Sequence, residues 1–218
     1  MALAAVVFAL SVQQLGTTLY RVTKPEDPAT DSAPYSAHDP LTERTRKLLA
    51  AQPALARAEH TLVVKKSQFT LEARIGSEVV KRYVVNLGAD PFRKKERQGD
   101  GRTPEGHYYV RDIHDSRFLR FFGLSYPSAA DADRGFSAGL IDRATADSLK
   151  SADRRGGLPN WRTALGGAIG IHGGGAYLDE GATVLIQNWT LGCVALRNVD
   201  LLELGAFSQN GISVEILP

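Results

Sequence analysis

Cys193 is the one cysteine among 218 residues, so no intramolecular disulfide can occupy its thiol. It stands in Trp189-Thr190-Leu191-Gly192-Cys193-Val194-Ala195-Leu196, about twenty residues after Ile171-His172-Gly173-Gly174-Gly175. An unpaired thiol and a histidine set in glycines are the parts of a cysteine nucleophile and its base. At neutral pH an ordinary thiol is mostly protonated, so an imidazole must either take the proton during attack or hold a thiolate–imidazolium pair. Gly192 lets backbone N–H groups around the nucleophile turn toward a developing oxyanion. The same residues also suit plain structural roles. A cysteine followed by Val-Ala-Leu fits a small buried hydrophobe, and a single histidine fits a satisfied core site. Trp189 can wall an acyl pocket or anchor the core. Tyr126, before Pro127, can line the groove or simply serve a turn. His38, His60, His107 and His114 lack the glycine setting and read as structural or surface residues.

The elements that would position this pair are mostly short strands. Thr61–Val64, Phe69–Ile75, Val79–Asn86, His107–Ile113, Phe118–Leu124, Ala168–His172, Thr183–Gln187, Cys193–Leu196 and Ile212–Leu217 all carry β-rich apolar runs. Ile75-Gly76-Ser77-Glu78-Val79 reads as a hairpin turn. His172 ends one strand and Cys193 opens another, so two strand ends can bring imidazole and thiol together. Helices are expected over Leu41–Ala51, Ile141–Ala152 and Val199–Phe207. Asp39 and Pro40 are the expected cap and first-turn proline of the first, with Pro53 ending it. Asn198 is the expected N-cap of the last, with Asp200 in its first turn. Many short strands and few helices make the fold class mainly β, a sandwich or barrel.

Apolar residues make up 43% and charged residues 23%, which excludes wholesale disorder. A net charge of +2 gives no nucleic-acid stripe; Arg93-Lys94-Lys95 is interrupted by Glu96 and reads as a solvated loop. No metal site and no cofactor are expected, since one cysteine cannot build a zinc cluster. Residues 1–20 begin with the apolar run Ala2–Leu10 and are expected to be a signal peptide or membrane anchor, with a buried helix as the alternative. Residues 21–58 are expected as linker and short helix, and 59–218 as the catalytic domain. The Asp179-Glu180 pair is expected on a surface loop.

The His172 and Thr190-Leu191-Gly192-Cys193 segments together resemble the signature of the L,D-transpeptidase (YkuD-type) catalytic domain family. Gly99-Asp100-Gly101-Arg102-Thr103-Pro104-Glu105-Gly106-His107-Tyr108 looks like a second block of that family. Leu124-Ser125-Tyr126-Pro127 with Ala129-Ala130-Asp131 is similar to its YafK-like murein branch. The resemblance covers about Leu62 to Pro218. It implies a YkuD-like β-sandwich, Cys193 as nucleophile, His172 as base and Gly192 shaping the oxyanion site. Thr190, Trp189, Gly173 and Tyr126 would touch the substrate. The implied activity is peptidoglycan acyl transfer: a thioester forms at the L-centre of diaminopimelate in a stem peptide, and an amine then resolves it. Hydrolysis of the same bond is the alternative, releasing a protein or terminal residue, and a silent peptidoglycan-binding module is another. Implied partners are stem peptides and an outer-membrane lipoprotein, in the periplasm or cell envelope. Two positions depart from the family pattern, Leu191 where a histidine is usual and Ala195 where an arginine is usual. Arg197 is the candidate local replacement for that arginine.

Overall fold

Apolar residues at alternate positions build the main sheet of this computed structural model, which describes residues 8–12, 17–28 and 33–218. The strands are β1 Phe8–Val12, β2 Thr17–Thr23, β3 His60–Lys65, β4 Thr70–Ile75, β5 Glu78–Val84 and β6 Gly106–Ser116. After them come β7 Leu119–Leu124, β8 Gly170–His172, β9 Tyr177–Asp179, β10 Thr183–Gln187, β11 Val194–Ala195 and β12 Ser213–Leu217. The helices are α1 Leu41–Ala51, α2 Ala129–Ser137, α3 Arg143–Arg154 and α4 Asn198–Phe207. In β12, Val214 and Ile216 are buried while Glu215 faces out, the period-two pattern of a half-covered strand. The fold is mainly β with a few short helices, as expected.

Eight strands form one sheet in the order β11-β8-β7-β6-β12-β3-β4-β5. Its two ends meet just past β5. Asn86 N donates to Ala195 O at 2.9 Å, and Ala195 N donates back to Asn86 O at 2.8 Å. That bridge covers edges which would otherwise expose unpaired backbone groups. The hairpin between β4 and β5 turns through Gly76 and Ser77, with Gly76 at φ +58°. A second sheet has the order β1-β2-β10-β9. Asp179 and Glu180 help hold it, pairing with Lys24 at 2.6 Å and Arg21 at 2.9 Å.

α1 occupies its expected span, but its cap differs. Pro40 takes the cap position in extended conformation, and the Asp39 carboxylate instead accepts from Lys47 at 2.7 Å and Ser36 N at 2.8 Å. Buried Arg44 fastens α1 to the preceding segment through Asp27 at 2.7 Å and to Val80 O at 3.3 Å. In α4, Arg197 takes the cap position and Asn198 falls inside the first turn, because its side chain is used elsewhere. Asp200 does sit in that first turn, paired with Arg197 at 2.7 Å. The pattern of apolar residues gave no hint of α2, which starts with a reciprocal Ser128–Asp131 capping box. α2 and α3 pack on a small separate core of Ala132, Ala146, Leu149 and Leu165.

Residues 1–7 and 13–16 of the segment expected as signal or anchor, and 29–32 of the expected linker, lie outside the described residues. β1 and β2 pair antiparallel, and β2 pairs with β10. Among the described residues no helix is long and apolar enough to cross a membrane.

Candidate active site

Strands β8 and β11 lie side by side and parallel, with Val194 opposite Ile171 and Ala195 opposite His172. Cys193, two residues before Ala195, therefore falls on the His172 face of the sheet. Both residues line one cleft of about 470 Å³, with Trp189, Thr190 and Leu191 along its rim.

His172 is 4% exposed, and its Nδ1 lies 2.6 Å from Gly173 O. A carbonyl can only accept, so Nδ1 carries the proton and Nε2 keeps its lone pair. The ring stacks on Phe118 at 4.7 Å and meets Trp189 edge-on at 5.8 Å. Burial lowers the imidazole pKa, and the Arg117 charge lowers it further against the Gly173 hydrogen bond. Burial raises the half-buried Cys193 thiol above its usual range, opposed by a Gly170 backbone hydrogen bond and the Lys95 charge. Both shifts favour the uncharged forms, thiol and neutral imidazole. The thiol donates to Ala168 O at 3.6 Å. Ala168 holds φ +51°, a region few residues with a Cβ adopt.

The turn that delivers Cys193 requires glycine. Gly192 has φ +134°, and a Cβ there would lie 2.5 Å from Arg102 O. Arg102 belongs to the Gly99–Tyr108 block, so that stretch buttresses the cysteine turn. Thr190, 3% exposed, closes the turn by donating to Cys193 O at 2.7 Å and accepting from Gly192 N at 3.2 Å. Within the same block, Asp100 holds Lys95 at 2.8 Å and accepts from the backbone of Glu96, Arg97 and Arg102. Those contacts keep its carboxyl below the usual range, although burial alone would raise it.

The expected site residues divide into three groups. Cys193, His172, Trp189 and Thr190 share the cleft. Gly173 and Gly192 act from behind it: Gly173 offers its carbonyl to His172, and its own N–H donates to Phe118 O at 2.9 Å. The glycines after His172 thus fold back into the protein, Gly174 N donating to Asn198 Oδ1 at 2.9 Å and Gly175 N to Leu196 O at 2.8 Å. Tyr126 stands apart. It is 1% exposed, donates to Leu165 O at 2.9 Å and borders a different cavity of about 430 Å³.

Leu191 is 78% exposed at the cleft, whereas Ala195 is fully buried. Arg197 does not line the cleft; it pairs with Asp200 and lies over Tyr177 at 4.7 Å. The cations that do line it, Lys95 and Arg117, carry no local motif. Both arrive through tertiary structure, although Arg117 occupies the tip of a hairpin that strand patterning could locate. Among the described residues no group of three His, Cys, Asp or Glu side chains is placed to hold a metal ion.

Residues 59–216 match the model of the YkuD L,D-transpeptidase catalytic domain. The chain belongs to this family. No curated protein matches the sequence. Among solved structures, an L,D-transpeptidase from Xylanimonas cellulosilytica is 15% identical, with 78% of this chain and 69% of that one covered and a TM-score of 0.41. Bd1075 of Bdellovibrio bacteriovorus is 17% identical, covering 74% of this chain and 49% of its own, with a TM-score of 0.43. L,D-transpeptidase 1 of Mycobacterium tuberculosis is 12% identical over 74% of this chain and 63% of its own, with a TM-score of 0.38. The chain thus spans about half of the Bdellovibrio protein and less than two thirds of the mycobacterial one.

Proposed function

We propose that this domain is a peptidoglycan L,D-transpeptidase that works through a Cys193 thioester. The observation that carries this reading is the His172 imidazole, fixed through Nδ1 by Gly173 O, in one cleft with the Cys193 thiol. His172 Nε2 takes the Cys193 proton as sulfur attacks the carbonyl at the L-centre of a diaminopimelate residue. The Cys193 turn shaped by Gly192, with the positive charge of Lys95 nearby, stabilises the oxyanion. Collapse breaks the C–N bond, and His172 returns the proton to the leaving nitrogen. An amine of a second stem then attacks the thioester, loses its proton to His172 and restores the thiol. The same reading places the protein in the cell envelope, where this substrate lies.

Purified protein incubated with tetrapeptide muropeptides, followed by chromatography of the products, tests transfer directly. Cross-linked dimers support an amine acceptor. Shortened monomers alone would replace transfer with hydrolysis through the same thioester. Unchanged muropeptides would contradict both and leave a binding module.

A further inference from the structure

The cleft has cations but no Asp or Glu among its lining residues. Lys95 is 5% exposed and already committed to Asp100 at 2.8 Å and Arg97 O at 3.1 Å. Arg117 differs. It is exposed, and its side chain makes no ion pair or hydrogen bond among the described residues. Its guanidinium carbon lies 4.8 Å from the centroid of the Phe118 ring.

That contact is held on both sides. Arg117 and Phe118 form the two-residue tip between β6 and β7, where Ser116 pairs with Leu119. Phe118 N donates to Ser116 Oγ at 3.1 Å, and Phe118 O accepts from Gly173 N at 2.9 Å. The Phe118 ring in turn stacks on His172 at 4.7 Å. Arg117 is therefore one ring away from the base, on a tip pinned to the residue that orients that base. A guanidinium resting on a ring keeps its edge donors free in a planar fork that matches a carboxylate.

We propose that Arg117 anchors a free carboxylate on the leaving residue of the acyl donor. This rests on the acyl-transfer reading above. His172 must hand its proton to the leaving nitrogen, so the leaving group lies beside the imidazole, in the cleft that Arg117 also lines. When the leaving group is a single amino acid, its α-carboxylate is two bonds from that nitrogen. The cleft then selects donors whose leaving residue ends in a free carboxylate.

The test compares acylation rates, read by intact-protein mass, for a tetrapeptide donor and for the same peptide with a C-terminal amide. Wild-type protein should prefer the acid by about tenfold or more, the scale of one charge-assisted pair. Arg117→Gln should bring that ratio close to one, and Arg117→Lys should keep part of it. Loss of the Phe118 stack alone would slow both donors equally, so an unaltered ratio in Arg117→Gln overturns the anchor. If wild-type protein is acylated by neither donor, the acyl-transfer reading fails separately. Calorimetric binding of both peptides to Cys193→Ala, with and without Arg117→Gln, then decides the anchor. A preference for the acid that Arg117→Gln removes supports it, and equal binding of acid and amide overturns it.

Discussion

One hydrogen bond fixes the tautomer of His172. Because Gly173 O accepts from Nδ1, the lone pair stays on Nε2, and neither residue needs a carboxylate to fix the tautomer. Replacing His172 with Gln should slow acylation about 10²–10⁴-fold with the melting temperature little changed, measured by intact mass over time. The pH dependence follows from the two shifts. The pKa of His172 is lowered by burial, so acylation should hold as pH falls through about 6.5 and drop only below it. The pKa of Cys193 is raised by burial, so alkylation by iodoacetamide should climb only above the ordinary thiol range. Alkylation with a midpoint near pH 6 would show a standing thiolate–imidazolium pair instead. Residue type and spacing single out Cys193 and His172, and the structure brings both to one cleft. Gly173 was expected to touch the substrate, whereas its backbone carbonyl accepts from His172, a contact that no residue type announces. Arg197 attracted attention by being near in sequence, while Arg117 is the arginine the fold brings to the cleft.

At the scale of elements, the cysteine turn depends on Thr190. Thr190→Val keeps the shape but loses the bond to Cys193 O and leaves the Gly192 N–H without its partner. It should cost about 1–3 kcal/mol in urea unfolding and slow acylation as well. Unaltered stability would show that the turn is held otherwise. The loop carrying Lys95 is fastened from inside by Lys66, which is buried and donates to Arg93 O, Thr103 O and Glu105 at 2.9, 3.1 and 2.7 Å. Lys66→Met strands those acceptors and should cost about 3–5 kcal/mol, read in the same unfolding experiment. Strand positions were legible because each strand carries a short β-rich apolar run between turn residues, as in β3 and β4. The caps at Asp39 and Asn198 were not, because Lys47 and Gly174, 8 and 24 residues away in sequence, claim those side chains. α2 was missed because its signal is the Ser128–Asp131 box rather than an apolar stripe.

Across the whole molecule, β11 is held on one side by β8 and on the other by the Asn86–Ala195 bridge that closes the main sheet. No local pattern specifies that closure, and it explains why Lys95 and Arg117 escape a reading by motif. The outer face of β4 carries the clearest acid-sensitive group. Burial would raise the pKa of Glu72, but Arg82, Lys65 and Arg74 hold it down to about 2, against an ordinary 4.5. Its contribution, about 3 kcal/mol, is fully present above pH 4.5 and is lost as pH falls toward 2. Melting temperature should therefore fall steeply below pH 4.5, and Glu72→Gln should start lower and fall less; equal slopes would contradict this. The account as a whole rests on a covalent bond to one sulfur. Intact-protein mass spectrometry after incubation with a tetrapeptide donor or a carbapenem reads that bond directly. Wild-type protein should gain one acyl mass, mapped to Cys193, and Cys193→Ala should gain none. A wild-type mass that never changes, or an adduct that persists in Cys193→Ala, would contradict it.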